Sequence, residues 1–210
     1  MLLAIDTSAG TAVAVVDREG GVLAERGTAD TRSHAERIGP LIAEAMDAAG
    51  VAPVALSGVA VGMGPGPFTG LRVGIAAARA YAFGLGRPVV PIASHDAVAH
   101  AAARAGSVAP LLVVTDARRR EVAWSAYAAP DGLGLPVRLA GPELAVAEGF
   151  ALPPGLPEGM ERVDAAEIPA GALGMLAELL LLHRRPLGPE QPLYLRAPDV
   201  TLSAPKRVGA

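Results

Sequence analysis

A chain of 210 residues without cysteine is long enough for one large domain or two smaller ones sharing an interface, and it excludes a disulfide framework and thiolate chemistry. Half of it is hydrophobic but only 3% is aromatic, so alanine, valine and leucine must fill the core. The net charge of −3 excludes a general attraction to nucleic acid, and any RNA contact needs a local patch or a partner.

Leu2 to Asp6 follows the initial methionine with no basic region or cleavage site, so no signal peptide is expected. Leu2–Asp6 and Thr11–Asp17 predict two strands around a turn at residues 7–10, and Arg18–Gly21 turns into a third, 22–28. A polar stretch leads to a helix over 34–49, with Gly50 just past its end and an apolar stripe of Ile38, Leu41, Ile42, Ala45 and Met46. Pro40 is expected to kink or restart it. Val59–Val61 predicts a short strand, and Gly62, Gly64, Pro65, Gly66, Pro67 and Gly70 form a stiff loop. Thr69 then caps a helix of small residues that ends near Gly84 or Gly86. A strand at 89–92 and an alanine-rich helix from Ser94, read as its N-cap, to about 105 follow.

The glycine loop is not a P-loop, because Leu71 and Arg72 stand where lysine and serine or threonine are needed, nor does its spacing fit a dinucleotide fingerprint. The remaining reading is a tight turn that lets strand and helix pack closely. Beyond it Gly74, Ala76, Ala77, Ala78, Ala80 and Ala82 make both faces of the helix small, which suits either an interaction surface or buried core. The longest apolar segments, 73–85 and 173–182, fall short of the ~20 residues that cross a bilayer, and a cytoplasmic protein with no membrane contact is expected.

A second start at residues 110–116 repeats the first. LLAIDTSAGTAVAV aligns with LVVTDARRREVAWS, placing Asp116 on Asp6. The chain therefore divides into 1–108, a β-β-β-α-β-α-β-α lobe, and 109–200, a reduced second lobe, with a mobile tail at 201–210. Six prolines between 130 and 157 imply loops and shortened elements, and one clear helix, about 170–184, remains. Asp6 and Asp116 at strand ends would face one groove, where turn N–H groups can hold phosphate and aspartate can hold a metal through water. Arg118–Arg120 crowd the second turn and would bind an anion, pair with Asp116 and Glu121, or sit in solvent. No histidine pair has ligand spacing, so no metal site is expected. Neither a G-x-S-x-G elbow nor paired carboxylates are present. No catalytic residue is named on this inventory.

Leu3–Ser8, His34–Arg37, Gly64–Gly74, Asp116–Arg119 with Glu121, and Tyr194–Arg196 together resemble the TsaB family, also called YeaZ, in the same order along residues 2 to about 200. The resemblance implies an α/β fold of the actin, sugar-kinase and Hsp70 (ribonuclease H-like) type, duplicated, with mixed sheets and a reduced second lobe. It implies a non-catalytic partner that binds the transferase TsaD and, with the ATPase TsaE acting through the complex, supports threonylcarbamoyl transfer to adenosine 37 of tRNA. The tRNA is met only indirectly, and a homodimer forms when TsaD is absent. The pairing surface falls on the first-lobe helices, which here offer His34, Ile38, Leu41, Ile42 and Ala45. The following helix adds Leu71, Arg72, Ile75 and Ala76, then Arg79, Ala80 and Phe83. No cofactor is required, and ATP or ADP is expected only at the complex interface. The alternative is an ATP-binding phosphotransferase or ATPase using Asp6, Thr7, Ser8, Gly64, Gly66 and Asp116. One departure is Pro67, where the family's loop usually has serine. The metal-binding histidine pair of TsaD-like relatives has no counterpart here.

Overall fold

The computed structural model describes residues 1–196, so the expected tail at 201–210 and the last residues of the expected 109–200 unit lie outside the described residues. Every residue of β1 (Leu2–Asp6) is buried, and a strand of that kind must be covered on both faces. It sits at the centre of a five-stranded sheet with β2 (Thr11–Asp17), β3 (Gly21–Thr28), β4 (Gly58–Gly62) and β5 (Val89–Ile92), in the order β3-β2-β1-β4-β5. β2 and β3 are antiparallel to their neighbours, whereas β4 and β5 run parallel to β1, with Ala4 opposite both Ala14 and Ala60.

Side-chain alternation divides this sheet between two cores. Leu3, Ile5, Val13, Val15, Val59 and Val61 face α1 (His34–Ala49) and α2 (Phe68–Leu85). Leu2, Ala4, Ala14, Val16 and Ala60 face the other way, toward α3 (Ser94–Arg104) and α4 (Ala170–Leu182). α4 belongs to the second half of the chain, yet it closes this second face of the first sheet. On the opposite face the outer sides of α1 and α2 are exposed among the described residues.

β6 (Leu111–Asp116), β7 (Glu121–Ala128), β8 (Val137–Val146) and β9 (Glu161–Asp164) form a second sheet ordered β8-β7-β6-β9. β6 has β7 antiparallel on one side and β9 parallel on the other, as β1 has β2 and β4. The alignment of residues 2–15 with 112–125 is therefore a structural repeat, and the topology is the duplicated actin-like one. Among the described residues the second copy lacks the fifth strand and counterparts of α1 and α2 covering its outer face. Phe150, Leu152, Leu156 and Met160 from the loop after β8 pack on Leu112, Val114 and Trp124 instead.

Local departures from expectation have local causes. α1 runs unbroken through Pro40, which is exposed, so water can serve the carbonyl that proline leaves without an N–H partner. α2 starts at Phe68, before Thr69, because the extended Pro67 (φ −61°, ψ 138°) already accepts the Leu71 N–H. Ser94 is inside α3 and Ala93 precedes it; the serine hydroxyl is held elsewhere. Residues 130–169, expected to hold loops and shortened elements, contain the ten-residue β8. Gly141 and Pro142 fall where the register with β7 shifts, between the Trp124 and Ala126 pairings, so the proline sits at an irregularity of an edge strand.

Candidate partner-binding face and interlobe cleft

Asp6 ends the central strand, and its carboxylate is sealed inside the protein, 2% exposed. Oδ1 accepts the Ser8 N–H (2.7 Å) and the Ser8 hydroxyl (2.6 Å), and Oδ2 accepts the Ser94 hydroxyl at 2.5 Å. The Gly64 N–H donates in turn to Ser94 Oγ at 3.1 Å. Burial pushes the Asp6 pKa upward, and the serine bonds oppose that shift. Thr7 Oγ1 donates to the Gly70 carbonyl (2.7 Å) and accepts the Gly74 N–H (3.2 Å). Here α2 packs so closely on the 6–8 turn that a threonine hydroxyl joins its backbone ladder.

The glycines make that approach possible. A Cβ on Gly66 would lie 2.8 Å from the Ser8 Cα, and one on Gly70 would lie 2.7 Å from the Thr7 carbonyl oxygen. A Cβ on Gly62 or Gly74 would collide with the Asp6 carboxylate or the Thr7 side chain. Of the six residues expected to hold nucleotide, Asp6, Thr7, Ser8, Gly64 and Gly66 come together. Their polar side-chain atoms and close backbone approaches are committed to one another. The loop is packed as a close strand-to-helix turn. The sixth, Asp116, is exposed on β6, where its Oδ1 accepts the Arg118 N–H at 2.8 Å.

Between the loop after β4 and the turn after β6 lies a 290 Å³ cleft, walled by Pro65–Phe68 on one side and Thr115–Arg119 on the other, with Leu195 and Arg196 also lining it. Arg196 pairs with Glu121. The Phe68 ring lies 4.8 Å from that of Tyr194, and the Arg72 guanidinium stands 4.2 Å over the same Phe68 ring. Arg118, Arg119 and Arg120 all have left-handed backbone, with φ of 61°, 55° and 63°. Neither the aromatic pair nor the Ser94 bond was evident from spacing. Their signal was rarity: the chain has only three phenylalanines and three tyrosines, and two of these six meet at this loop.

The helix residues expected to meet a partner separate into two groups. Ile38, Leu41, Ile42 and Ala45 are core residues of α1, and Leu71 and Ile75 are core residues of α2. An apolar stripe readable from sequence is the one a helix buries against its own sheet, so these six are covered within this chain. His34 is also buried, its Nδ1 2.7 Å from Thr11 Oγ1, and desolvation lowers its pKa. The other five, Arg72, Ala76, Arg79, Ala80 and Phe83, lie on the outer side of α2, where Phe83 is 89% exposed. Among the described residues no helix is long and apolar enough to cross a membrane.

Fold and site together define an actin-like protein whose strand-end aspartate turn is filled by its own glycine loop. The family model for TsaD, tRNA N6-adenosine threonylcarbamoyltransferase, matches residues 7–132. An uncharacterized protein of Mycobacterium tuberculosis is 41% identical, covering 94% of this chain and 92% of its own length. The Haemophilus influenzae tRNA threonylcarbamoyladenosine biosynthesis protein TsaB is 38% identical over 59% of this chain, and the match spans 52% of that relative. YeaZ from Pseudomonas aeruginosa superposes with a TM-score of 0.72 at 29% identity, covering 87% of this chain and 92% of that structure. The chain belongs to the TsaB (YeaZ) family.

Proposed function

We propose that this chain is a non-catalytic subunit that docks a TsaD-type transferase through the outer side of α2 and so supports threonylcarbamoyl transfer to adenosine 37 of tRNA. The observation that carries the reading is the exposed stripe of Ala76, Ala80 and Phe83 beside Arg72 and Arg79. Two alanines let a partner helix approach closely, and an exposed phenylalanine is the kind of anchor that an interface buries. From the chain's second half α4 packs on the opposite face of the sheet and Tyr194 joins the α1–α2 core beside Phe68, at the start of α2; among the described residues the stripe stays exposed. No resident cofactor is required; ATP or ADP would bind where the two chains meet. A TsaE-type ATPase joins through the transferase, and a second copy of this chain occupies the stripe when the transferase is absent. The sealed carboxylate of Asp6 argues against the phosphotransferase alternative, which needs that group open to the cleft.

Ala76→Glu tests the assignment. A glutamate at this exposed helical position has Arg72 four residues before it and Arg79 three after it, so the fold should be retained. Buried in an interface, the same carboxylate should weaken co-purification with the cognate transferase on the order of a hundredfold, about 3 kcal/mol. Formation of modified adenosine should fall in parallel. A folded variant that still captures the transferase at wild-type affinity would remove α2 from the interface.

A further inference from the structure

We propose that the left-handed turn Arg118–Arg120, across the cleft from Phe68, grips the phosphodiester backbone of the RNA substrate. The proposal rests on the tRNA-modifying role above and adds to it a direct RNA contact by this chain. Single left-handed residues are ordinary in turns, but three successive non-glycine ones are disfavoured by Cβ clashes, and such strain gathers at functional positions. The turn is held on all sides. The Ala117 N–H donates to the Glu121 carbonyl (3.0 Å), the Glu121 N–H to the Arg118 carbonyl (3.0 Å), and the Ala147 N–H to the Arg120 carbonyl (2.8 Å).

Glycine or asparagine would make this turn with less strain. A general preference for arginine over lysine, visible in a chain whose only lysine is Lys206, explains the choice of base and not the presence of three bases here. All three arginines are exposed. The Arg118 guanidinium donates to the neutral Thr31 hydroxyl at 2.8 Å, while the Glu121 carboxylate is engaged by Arg196. Guanidinium groups are matched to phosphate, and the tilted Phe68–Tyr194 pair, with Arg72 over the Phe68 ring, offers the aromatic surface that single-stranded RNA uses beside them. An acidic peptide would meet the charges but leave the aromatic surface without a counterpart.

The test is fluorescence anisotropy of a labelled tRNA transcript titrated with the full chain, alone and with its transferase, at several salt concentrations. Arg118→Gln with Arg119→Gln should weaken binding on the order of tenfold and flatten the log–log salt dependence by about one per arginine removed. Arg119→Gly, which relieves the backbone, should stay folded and lose about half of that effect on the slope. Arg18→Gln, at the exposed turn between β2 and β3, should bind as the wild type does. Unchanged affinity and slope in the double variant would overturn the proposal, as would displacement of the RNA by polyglutamate of equal charge. Transferase co-purification, measured on the same variants, separates the two readings. RNA binding lost with docking intact supports the turn as an RNA contact. RNA binding lost only where docking is lost assigns that contact to the partner, whereas a wild-type chain that never docks defeats the proposed function without touching the RNA measurement.

Discussion

Gly70→Ala should destabilise the protein by about 3 kcal/mol and lower its melting temperature by roughly 6–12 °C, although alanine is the better helix former. The added Cβ would stand 2.7 Å from the Thr7 carbonyl oxygen and 3.1 Å from His34 Nε2. The first obstacle is backbone and cannot rotate away. Relief requires α2 to move off the 6–8 turn, which breaks the Thr7 bonds to Gly70 and Gly74 and disturbs the loop that reaches Asp6 through Ser94. Gly84→Ala provides the contrast on the same helix. Nothing lies within 4 Å of its Cβ position, so a few tenths of a kcal/mol should be gained from helix propensity alone. Two thermal melts therefore read one substitution with opposite signs. Equal shifts in the two variants would mean that the glycines near the loop are not there for close approach.

The same geometry links fold to function. Gly70 and Gly74 lie one turn apart on α2 and face Thr7, while Gly66 in the loop before it faces Ser8, so one side of the start of α2 is clamped to the turn after β1. Clamping that side sets the rotation of the whole helix about its axis, and this rotation fixes Ala76, Ala80 and Phe83 as the outward stripe. The loop positions the proposed docking face from a distance, with no need to touch a ligand itself.

How far this was legible follows from which signals are local. Hydrophobic alternation and the recurrence of an apolar strand ending in aspartate were enough for the five strands of the first sheet and for the duplication that opens the second. The C-terminal boundary of α1 was readable because Gly50 supplies the left-handed residue that a helix end uses, φ 63°. Ser94 was misread because a serine before an alanine run has the signature of an N-cap. Only the folded chain brings Asp6 within reach, 88 residues away, and a buried carboxylate holds a hydroxyl more tightly than a helix start does. β8 was missed for a related reason, since a proline tolerated at an edge-strand irregularity looks in sequence like a strand breaker. The interaction residues divided along burial. Periodicity reports the side of a helix that its own core claims, so Ile38 and Leu41 were visible where the small, exposed side of α2 carried the weaker signal.

Acid should unfold this protein earlier than its carboxylates alone would require, because of His95. The ring is 0% exposed, with Nδ1 2.8 Å from Ser125 Oγ and Nε2 2.9 Å from Thr115 Oγ1, and it joins α3 to the two central strands of the second sheet. Burial, with a smaller contribution from the Arg138 charge, pushes its pKa down to about 3. A histidine whose folded pKa lies below its unfolded value binds more protons when unfolded. Its contribution is therefore fully present above the unfolded pKa near 6.5 and is lost as pH falls from there toward 3. The whole interval amounts to roughly 4–5 kcal/mol, a large part of a typical domain's stability. His34 and His100, both lowered by burial, act in the same direction, while the raised pKa of Asp6 opposes them because protonation relieves its buried charge. Denaturation midpoints should fall steadily between pH 6.5 and 4. His95→Gln should be less stable at pH 7, since no single amide spans both hydroxyls in the ring's geometry, but it should show a shallower pH slope. A wild-type profile that is flat down to pH 4.5, or a glutamine variant with the same slope, would show that the ring is free to take a proton in the folded protein.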